Sequence, residues 1–542
     1  MPFEATKANK PARVLIVGAG SAGLMTALTL AATAPHISVT VMAEKPLGQG
    51  CASAWSQGGL AAAVGRDDKA ARHAHDTMVA GAGTSDAAVV AALTAAAPAV
   101  IEKLAALGVE FARDAKGDFV LSREACHDTR RVLKAKAGDG FGAELMRALT
   151  TAVINTPAIT VITGLSAERL LRREGPAMGA VCGVIARKAD GGIETLQADA
   201  VVLATGGLGG LYAATTNPLG AVGRGLALAA RAGAVLADME FVQFHPTALD
   251  IGEDPMPLAT EALRGEGAVL RNSRGQRFMT GYHPMAELAP RDVVSRGIFA
   301  QIQQGQKTYL DCRQIDVSKF PALITACARA GINPQHDLVP VAPAVHYHMG
   351  GVATDLNART SLTGLWAVGE VAATGLHGAN RLASNSLMEA VVMAERAAAD
   401  IIGRIALLAG AAAATVRAPV LPASGTLPQG GHDTLRATMT AQCGVIRDAD
   451  NMRAALNLAS DYLDAAEARD SALADRALVC QLIVASALLR EESRGGHFRS
   501  DFPQPVDALQ KRSFITLKDV QVRLPALLRG SAATPVNEEV YA

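Results

Sequence analysis

A glycine-rich segment near the start of the chain has the spacing of a phosphate-binding loop. Gly18-Ala19-Gly20-Ser21-Ala22-Gly23 follows an apolar run and opens an alanine-rich stretch. In a strand–loop–helix unit, Gly18 permits a tight turn, Gly20 lets backbone N–H groups approach a pyrophosphate, and Gly23 lets the helix pack on the sheet. Glu44 lies about 20 residues further on, where an acid bonds the adenosine ribose. The segment predicts a dinucleotide site.

Two later segments indicate that the dinucleotide is a flavin. Glu370 ends a buried apolar run, where its carboxylate can bond the hydroxyls of a ribityl chain. The segment 380–387 opens a long alanine-rich stretch, and a helix starting there would direct its positive dipole end at the pyrimidine side of an isoalloxazine. The alternative interpretation of this segment is an ordinary Ser/Asn helix cap.

Several donors and acids are clustered between residues 243 and 381. Arginine offers fixed bidentate geometry to a carboxylate, so two such clusters could hold a dicarboxylate. The sequence alone does not establish that they converge, and a lone histidine is more often structural. The segments are Gln243-Phe244-His245-Pro246-Thr247, Thr260-Glu261, Arg264, Arg291-Asp292, His346-Tyr347-His348 and Arg381.

The elements that would position these residues give the fold class. Short apolar runs predict buried parallel strands, and apolar residues at spacings of three and four after residue 431 predict a helical bundle. The strands lie far apart in the sequence, which predicts an α/β, Rossmann-like FAD-binding domain interrupted by an α+β capping domain. The predicted strands are 13–17, 39–43, 200–204 and 364–368. The predicted domains are 1–238 with 348–417 (FAD-binding), 239–347 (cap) and 418–542 (C-terminal helical), with a linker over 408–431.

The composition excludes several classes of protein. The 542 residues carry 51 basic and 51 acidic side chains. The chain therefore lacks the excess of positive charge that is typical of nucleic-acid-binding proteins. Half of the residues are hydrophobic, which excludes a mostly disordered chain. The seven cysteines are scattered, with no Cys-x-x-Cys for a metal or cluster. The polar segment 1–11 lacks a signal-peptide core, and no charge-free apolar run reaches the length of a membrane helix, so we expect a cytoplasmic protein with no membrane partner.

Beyond these patterns, the chain resembles the fumarate reductase/succinate dehydrogenase flavoprotein family, and within it the L-aspartate oxidases, over nearly its whole length. The resemblance lies in the segments 18–23, 56–61, 204–207, 240–247, 290–292, 346–351, 369–370, 377–387 and 492–498.

The resemblance implies a set of site residues. FAD would be bound by Gly18, Gly20, Ser21, Ala22, Gly23, Glu44, Ala52, Gln57, Gly58, Gly59, Glu370, Ser386 and Leu387. A C4 dicarboxylate would be held by Gln243, His245, Thr260, His346 and Arg381. The catalytic residues would be Arg291, as proton donor and acceptor, together with His245 and Glu124.

Two places decide between members of this family. Membrane succinate dehydrogenases usually join FAD to a histidine five residues before the Gln-Gly-Gly segment, whereas this chain has Ala52, so we expect non-covalent FAD. The segment 121–131 resembles one of the L-aspartate oxidases, in which Glu124 falls on the acid that orients the substrate. Its carboxylate can meet the ammonium that aspartate has and succinate lacks. Ala125-Cys126 and Arg224 depart from the family pattern.

The expected activity is therefore oxidation of L-aspartate to iminoaspartate, with oxygen or fumarate reoxidising the flavin. The family product feeds quinolinate formation and NAD synthesis, which makes a quinolinate synthase the expected functional partner. The alternatives are a soluble fumarate reductase or succinate dehydrogenase flavoprotein and a non-catalytic FAD-binding subunit.

Overall fold

The computed structural model describes residues 11–136, 138–173, 179–409, 416–417, 430–467 and 469–530. Within these residues the helices are α1 (Ser21–Thr33), α2 (Ala70–Ala80), α3 (Ala87–Ala106), α4 (Phe141–Ile154), α5 (Arg224–Arg231), α6 (Glu261–Gly265), α7 (Arg291–Gln303), α8 (Pro321–Arg329), α9 (Asn385–Ala409), α10 (Gly431–Gln442), α11 (Ala449–Ala466), α12 (Ser471–Leu489) and α13 (Leu517–Arg529). The strands are β1 (Arg13–Val17), β2 (Ser38–Ala43), β3 (Leu60–Ala61), β4 (Leu121–Ser122), β5 (Val132–Leu133), β6 (Ile159–Thr163), β7 (Leu165–Arg173), β8 (Val181–Lys188), β9 (Ile193–Gln197), β10 (Ala200–Leu203), β11 (Leu236–Ala237), β12 (Val242–Leu249), β13 (Val269–Asn272), β14 (Thr308–Asp311), β15 (Val339–His348), β16 (Gly351–Ala353), β17 (Leu365–Ala367), β18 (Ala372–Ala373), β19 (Val416–Arg417) and β20 (Phe514–Ile515).

A five-stranded parallel sheet forms the centre of the nucleotide domain, in the order β17-β10-β1-β2-β6. All four predicted strands belong to it, and the predicted helix after the glycine loop is α1. Helices α1 and α9 pack together over the sheet, and their apolar residues share one buried cluster with β1 and β2. The four predicted strands therefore end at the same edge, where parallel sheets bind ligands.

The segment between β11 and β16 forms a second layer with its own core. Its sheet has the order β12-β15-β14-β13, and apolar residues from Leu249 to Val341 pack beneath it with α7 and α8. We propose that residues 239–347 form the cap, with 1–238 and 348–417 as the FAD-binding domain and 418–542 as the helical domain. Strand β15 crosses the proposed boundary at residue 347.

The C-terminal region is helical, as the apolar spacing predicts. Helices α10, α11 and α12 pack on one another, and α13, which the sequence reasoning did not identify, packs on α11 and α12. Helix α10 ends at Gln442. Cys443, which follows it directly, is buried together with the apolar residues of the helix. Most of the predicted linker, 408–431, lies outside the described residues.

Two of the described helices, α3 and α12, are long and apolar enough by composition to cross a membrane. The most apolar stretch of α12 is 83% buried inside the protein, and that of α3 is 44% buried. Helix α12 is accordingly the core helix of the C-terminal region, where an apolar sequence is expected on all sides.

A buried ion pair fastens the helical region to the beginning of the cap. Arg490, which follows α12, donates from Nε to Glu240 Oε1 at 2.5 Å, just before β12. The Ser513 hydroxyl donates to the same carboxylate at 2.8 Å, and Glu240 is completely buried. Burial of this carboxylate is tolerated because its charge is paired and hydrogen-bonded.

We therefore expect Arg490→Ala to lower the free energy of unfolding by about 3–5 kcal/mol, since it leaves a buried charge without its partner. Arg453→Ala is the matched control, because Asp450 in that pair is 94% exposed, and a loss of about 0–1 kcal/mol is expected. Thermal unfolding of both variants, followed by circular dichroism, measures the difference. Equal midpoints would contradict the structural role of Arg490.

Candidate active site

A cavity of about 1120 Å³ opens at the carboxyl ends of β1, β2, β10 and β17 and extends beneath the cap. All the predicted FAD residues except Gly23 line it: Gly18, Gly20, Ser21, Ala22, Glu44, Ala52, Gln57, Gly58, Gly59, Glu370, Ser386 and Leu387. Of the predicted substrate and catalytic residues, it is lined by Glu124, His245, Thr260, Arg291, His346 and Arg381. The fold thus brings the glycine loop and the charged residues into one space.

The glycine loop has the close approaches that a bound pyrophosphate requires. A Cβ on Gly18, which has a φ of +113°, would lie 2.2 Å from the Ala204 carbonyl oxygen. A Cβ on Gly23 would lie 2.1 Å from the Gly18 carbonyl oxygen, so Gly23 serves helix packing behind the cavity wall. A Cβ on Gly20 would have only Ser53 Oγ nearby, at 3.5 Å. Helix α1 begins directly after Gly20, and its N-terminus therefore faces open space suited to an anion.

The far end of the cofactor cavity is formed around Glu370. Its Oε1 accepts from the His348 N–H at 3.1 Å, and a Cβ on Gly207 would lie 2.2 Å from the same oxygen. Burial raises the pKa of Glu370 to about 7, which is typical of a carboxyl group with few partners of its own. The ribityl hydroxyls of FAD would supply such partners, so the residues present fit the cofactor.

Ser386 and Arg224 also line the cofactor part of the cavity. Helix α9 begins at Asn385, as predicted, and Ser386 Oγ accepts from Arg381 Nη1 at 2.9 Å, which leaves the backbone of its first turn for a ligand. Arg224, the departure from the family pattern, lines the cavity at the start of α5. Its guanidinium donates to Ser166 Oγ and lies 3.9 Å from Glu168 Oε1.

Arg291 is the first residue of α7 and lies in a row of alternating charges. Its Nε donates to Glu261 Oε2 at 2.6 Å, and Glu261 Oε1 lies 3.7 Å from Arg264 Nη2. Burial raises the pKa of Glu261, but the charges of Arg291 and Arg264 outweigh burial, and the pKa lies below its usual range. The row Arg291–Glu261–Arg264 thus leads from the cavity into the cap.

The two histidines of the cavity are neutral hydrogen-bonding groups. Burial, followed by the charge of Arg291, lowers the pKa of both His245 and His346 well below the usual range. The Thr247 N–H donates to His245 Nδ1 at 3.2 Å, so the neutral ring carries its proton on Nε2 and can donate it to a ligand. The ring centroids of His245 and His346 are 5.1 Å apart.

Gln243 does not line the cavity, and its role as a direct substrate ligand stays a prediction. Its Oε1 accepts from Arg291 Nη1 at 3.0 Å and from Arg381 Nε at 3.3 Å. Its Nε2 donates to Asn380 Oδ1 and to the Arg381 carbonyl oxygen. All its polar atoms are engaged in the protein, so Gln243 is placed to position the two arginines. His348, on the same strand as His346, also lies outside the cavity and bonds the Met239 carbonyl oxygen.

Arg381 is surrounded by groups that orient its guanidinium toward the cavity. Burial, followed by the charge of Arg291, lowers the pKa of Arg381 to about 10, so it is positively charged at neutral pH. The guanidinium carbon lies 4.7 Å from the centroid of the Tyr347 ring. Tyr347 is fixed by Glu389, whose Oε2 accepts from its hydroxyl at 3.2 Å. Sequence reasoning did not assign Tyr347 a role, although it lies between the two histidines of the 346–348 segment.

Glu124 contributes a carboxylate to this cationic space. It is buried, and its Oε2 accepts from the Ser384 hydroxyl at 2.8 Å. Burial and the nearby Glu261 raise the pKa of Glu124, whereas Arg291 and the hydrogen bond from Ser384 lower it, and the net direction is upward. Ser384 is a contact that sequence reasoning missed, because its segment matches a simple helix cap.

Taken as a whole, the charges suit an anionic ligand that also carries a positive group. Arg291 and Arg381 face the cavity with neutral histidine donors beside them, an arrangement that can hold carboxylates. Glu124, unlike Glu261, which is paired with Arg291, can meet a cation in the same ligand. Among the described residues, no cluster of three or more His, Cys, Asp or Glu side chains could hold a metal ion.

The similarity of the chain to known proteins identifies its family. Residues 13–387 match the family model described as FAD binding domain, and residues 432–528 match the one described as fumarate reductase flavoprotein C-term. The L-aspartate oxidases of Caulobacter vibrioides and Agrobacterium fabrum are each 50% identical to this chain; the alignments cover 93% of it and 96% and 94% of those proteins. A solved E. coli quinol fumarate reductase subunit, FrdA, is 28% identical, with a TM-score of 0.83, over 93% of this chain and 94% of that one. The chain therefore belongs to the FAD-binding fumarate reductase/succinate dehydrogenase flavoprotein family, and within it to the L-aspartate oxidases.

Proposed function

We propose that this protein oxidises L-aspartate to iminoaspartate with FAD, and that oxygen or fumarate takes up the electrons. The observation that carries the proposal is the placement of Glu124 in the same cavity as Arg291 and Arg381. Two guanidinium groups can pair with the carboxylates of a C4 acid, and one carboxylate can pair with its ammonium. The identity to L-aspartate oxidases over nearly the full chain supports the same substrate.

The binding roles follow from the contacts. Arg381, held by Gln243, Ser386 and the Tyr347 ring, pairs with one substrate carboxylate. His245 donates a neutral hydrogen bond from Nε2, His346 adds a neutral ring, and Thr260, which precedes α6, adds a hydroxyl at the cavity wall. The cap closes over the ligand and excludes water, which strengthens each of these interactions.

Proton transfer is assigned to Arg291. Bound FAD supplies the hydride acceptor, and the protein must remove or deliver the accompanying proton. A free arginine is a poor base because its pKa is above 12. Arg291, however, is hydrogen-bonded to Glu261, so it can pass one of its own protons to that carboxylate and take up the substrate proton in its place.

The proposed biological setting follows from the family. The iminoaspartate would feed quinolinate formation as the first step of NAD synthesis from aspartate, in the cytoplasm. A quinolinate synthase would then be the functional partner that consumes the product.

FAD should be released when the protein is denatured by acid or heat. Ala52 stands where a histidine would be needed for covalent attachment, and no histidine lies between His36 and His73. After precipitation and centrifugation, the flavin absorbance is expected in the supernatant. Yellow colour that stays with the precipitated polypeptide would contradict non-covalent binding.

Arg291→Lys should lower turnover by about 10³-fold, equivalent to roughly 4 kcal/mol of barrier, while FAD remains bound. A lysine keeps the charge but cannot reproduce the contacts of the guanidinium with Glu261 and Gln243. Arg296→Lys, one turn further along α7 and outside the cavity, is the matched control and should retain activity. If reduced Arg291→Lys enzyme still converts fumarate at a near-normal rate, Arg291 has no role in proton transfer.

Glu124→Gln should impair aspartate oxidation far more than fumarate reduction, because fumarate has no amine to hold. The shape of the side chain is kept and the charge is removed. A partly desolvated charge pair makes the expected difference about 2–4 kcal/mol, or roughly 30- to 1000-fold in kcat/KM. Both reactions are measured on the wild type, on Glu124→Gln and on Glu110→Gln, an exposed acid that serves as control.

The same measurement tests the second candidate function. The structural likeness to a fumarate reductase subunit favours a soluble fumarate reductase as the alternative. Rapid flavin reduction by succinate but not by aspartate would support that alternative. Equal losses of both reactions in Glu124→Gln would mean that Glu124 only supports its loop.

A further inference from the structure

The hydroxyl of Ser384 lies between a backbone donor and the carboxylate of Glu124. Ser384 Oγ is 2.8 Å from Glu124 Oε2 and 3.4 Å from the Gly59 nitrogen. Both Ser384 and Glu124 are buried and line the cavity. The Ser384 backbone has a φ of +63°, a left-handed conformation that non-glycine residues seldom adopt, and it holds the side chain at this place just before α9.

The direction of the hydrogen bond is set by the backbone. The Gly59 N–H can only donate, so Ser384 Oγ accepts from it and turns its own hydrogen toward Glu124. A hydroxyl that donates in this way favours the ionised form of the carboxyl group. The hydrogen bonds among the described residues occupy Glu124 Oε2 and leave Oε1 for a ligand in the cavity.

The other groups that face Glu124 have opposing effects on its charge. Burial and Glu261 favour the protonated form, whereas Arg291, Lys134 and the Ser384 hydroxyl favour the ionised form. Arg381 is a further cation close enough to interact with Glu124. Because Arg291 and Arg381 are also needed by the substrate carboxylates, Ser384 is the neutral group whose contact serves Glu124 alone.

We propose that Ser384 is a specificity-determining positioning residue. Its hydroxyl fixes the Glu124 carboxylate and keeps it ionised, and the site thereby selects dicarboxylates that carry an amine. This inference rests on the proposed function, in which Glu124 receives the ammonium of aspartate. Ser384 itself forms no bond to the substrate in this role. Dicarboxylates without an amine, such as fumarate and succinate, do not depend on it.

The test uses Ser384→Gly in the FAD-loaded protein, since glycine adopts the left-handed backbone without strain. Ser384→Ala is the second variant and removes the same hydroxyl. We expect kcat/KM for aspartate to fall about tenfold in both, mainly through KM, and fumarate reduction to stay within about twofold of wild type. Retention of FAD, measured by the flavin to protein absorbance ratio, controls for folding.

The pH profile separates this role from simple support of the loop. Loss of the hydroxyl raises the pKa of Glu124, and a protonated Glu124 cannot pair with ammonium. The acidic limb of kcat/KM for aspartate should therefore move to higher pH in Ser384→Gly, and the deficit should shrink as the pH is raised. A deficit that is the same at every pH, or equal losses for aspartate and fumarate, would overturn the proposal.

A double-mutant cycle distinguishes failure of this inference from failure of the proposed function. If Ser384 acts through Glu124, Ser384→Gly has no further effect on aspartate oxidation in the Glu124→Gln background. If Glu124→Gln is impaired and Ser384→Gly is normal, the role of Ser384 is refuted and that of Glu124 stands. If Glu124→Gln is itself normal with aspartate, the assignment of Glu124 in the proposed function fails, and the inference fails with it.

Discussion

The side-chain oxygen of Gln243 accepts hydrogen bonds from two guanidinium groups that belong to different parts of the fold. Arg291 begins α7, and Arg381 lies in the loop before α9. Two buried like charges repel each other, so their side-by-side placement needs a shared acceptor and a countercharge, which Glu261 provides. This arrangement requires β12, α6, α7 and the loop before α9 to be held in fixed relative positions.

Much of the fold was predictable from the sequence because its signals are local. Three of the predicted strands, at 13–17, 200–204 and 364–368, are short apolar runs with a glycine shortly after each. All three lie where they were expected, as does the glycine loop. The antiparallel sheet of β7, β8, β9 and β19 was not predicted. Strand β7 contains Glu168, Arg169 and Arg172 among apolar residues, which obscures the alternation that identifies a strand.

The site was less predictable, since it depends on the direction of individual side chains. In β12 the register against β15 shifts between Gln243 and Phe244, and such an irregularity breaks the two-residue alternation. The sequence therefore did not indicate that Gln243 contacts Arg291 and Arg381 from behind the wall of the cavity. The contact between Ser384 and Glu124 joins residues 260 positions apart, and no local pattern encodes it.

The buried histidines change the electrostatic argument for substrate choice. His245 and His346 add no positive charge because burial keeps them neutral, so the positive charge beside them comes from Arg291 and Arg381. Repulsion of an ammonium then arises from these two guanidinium groups. A buried carboxylate with a raised pKa is costly in the empty cavity, but that cost is offset when an ammonium enters beside it. In the proposed role of Glu124, ligands without an amine would leave this cost uncompensated, which would favour an amino acid over succinate or fumarate.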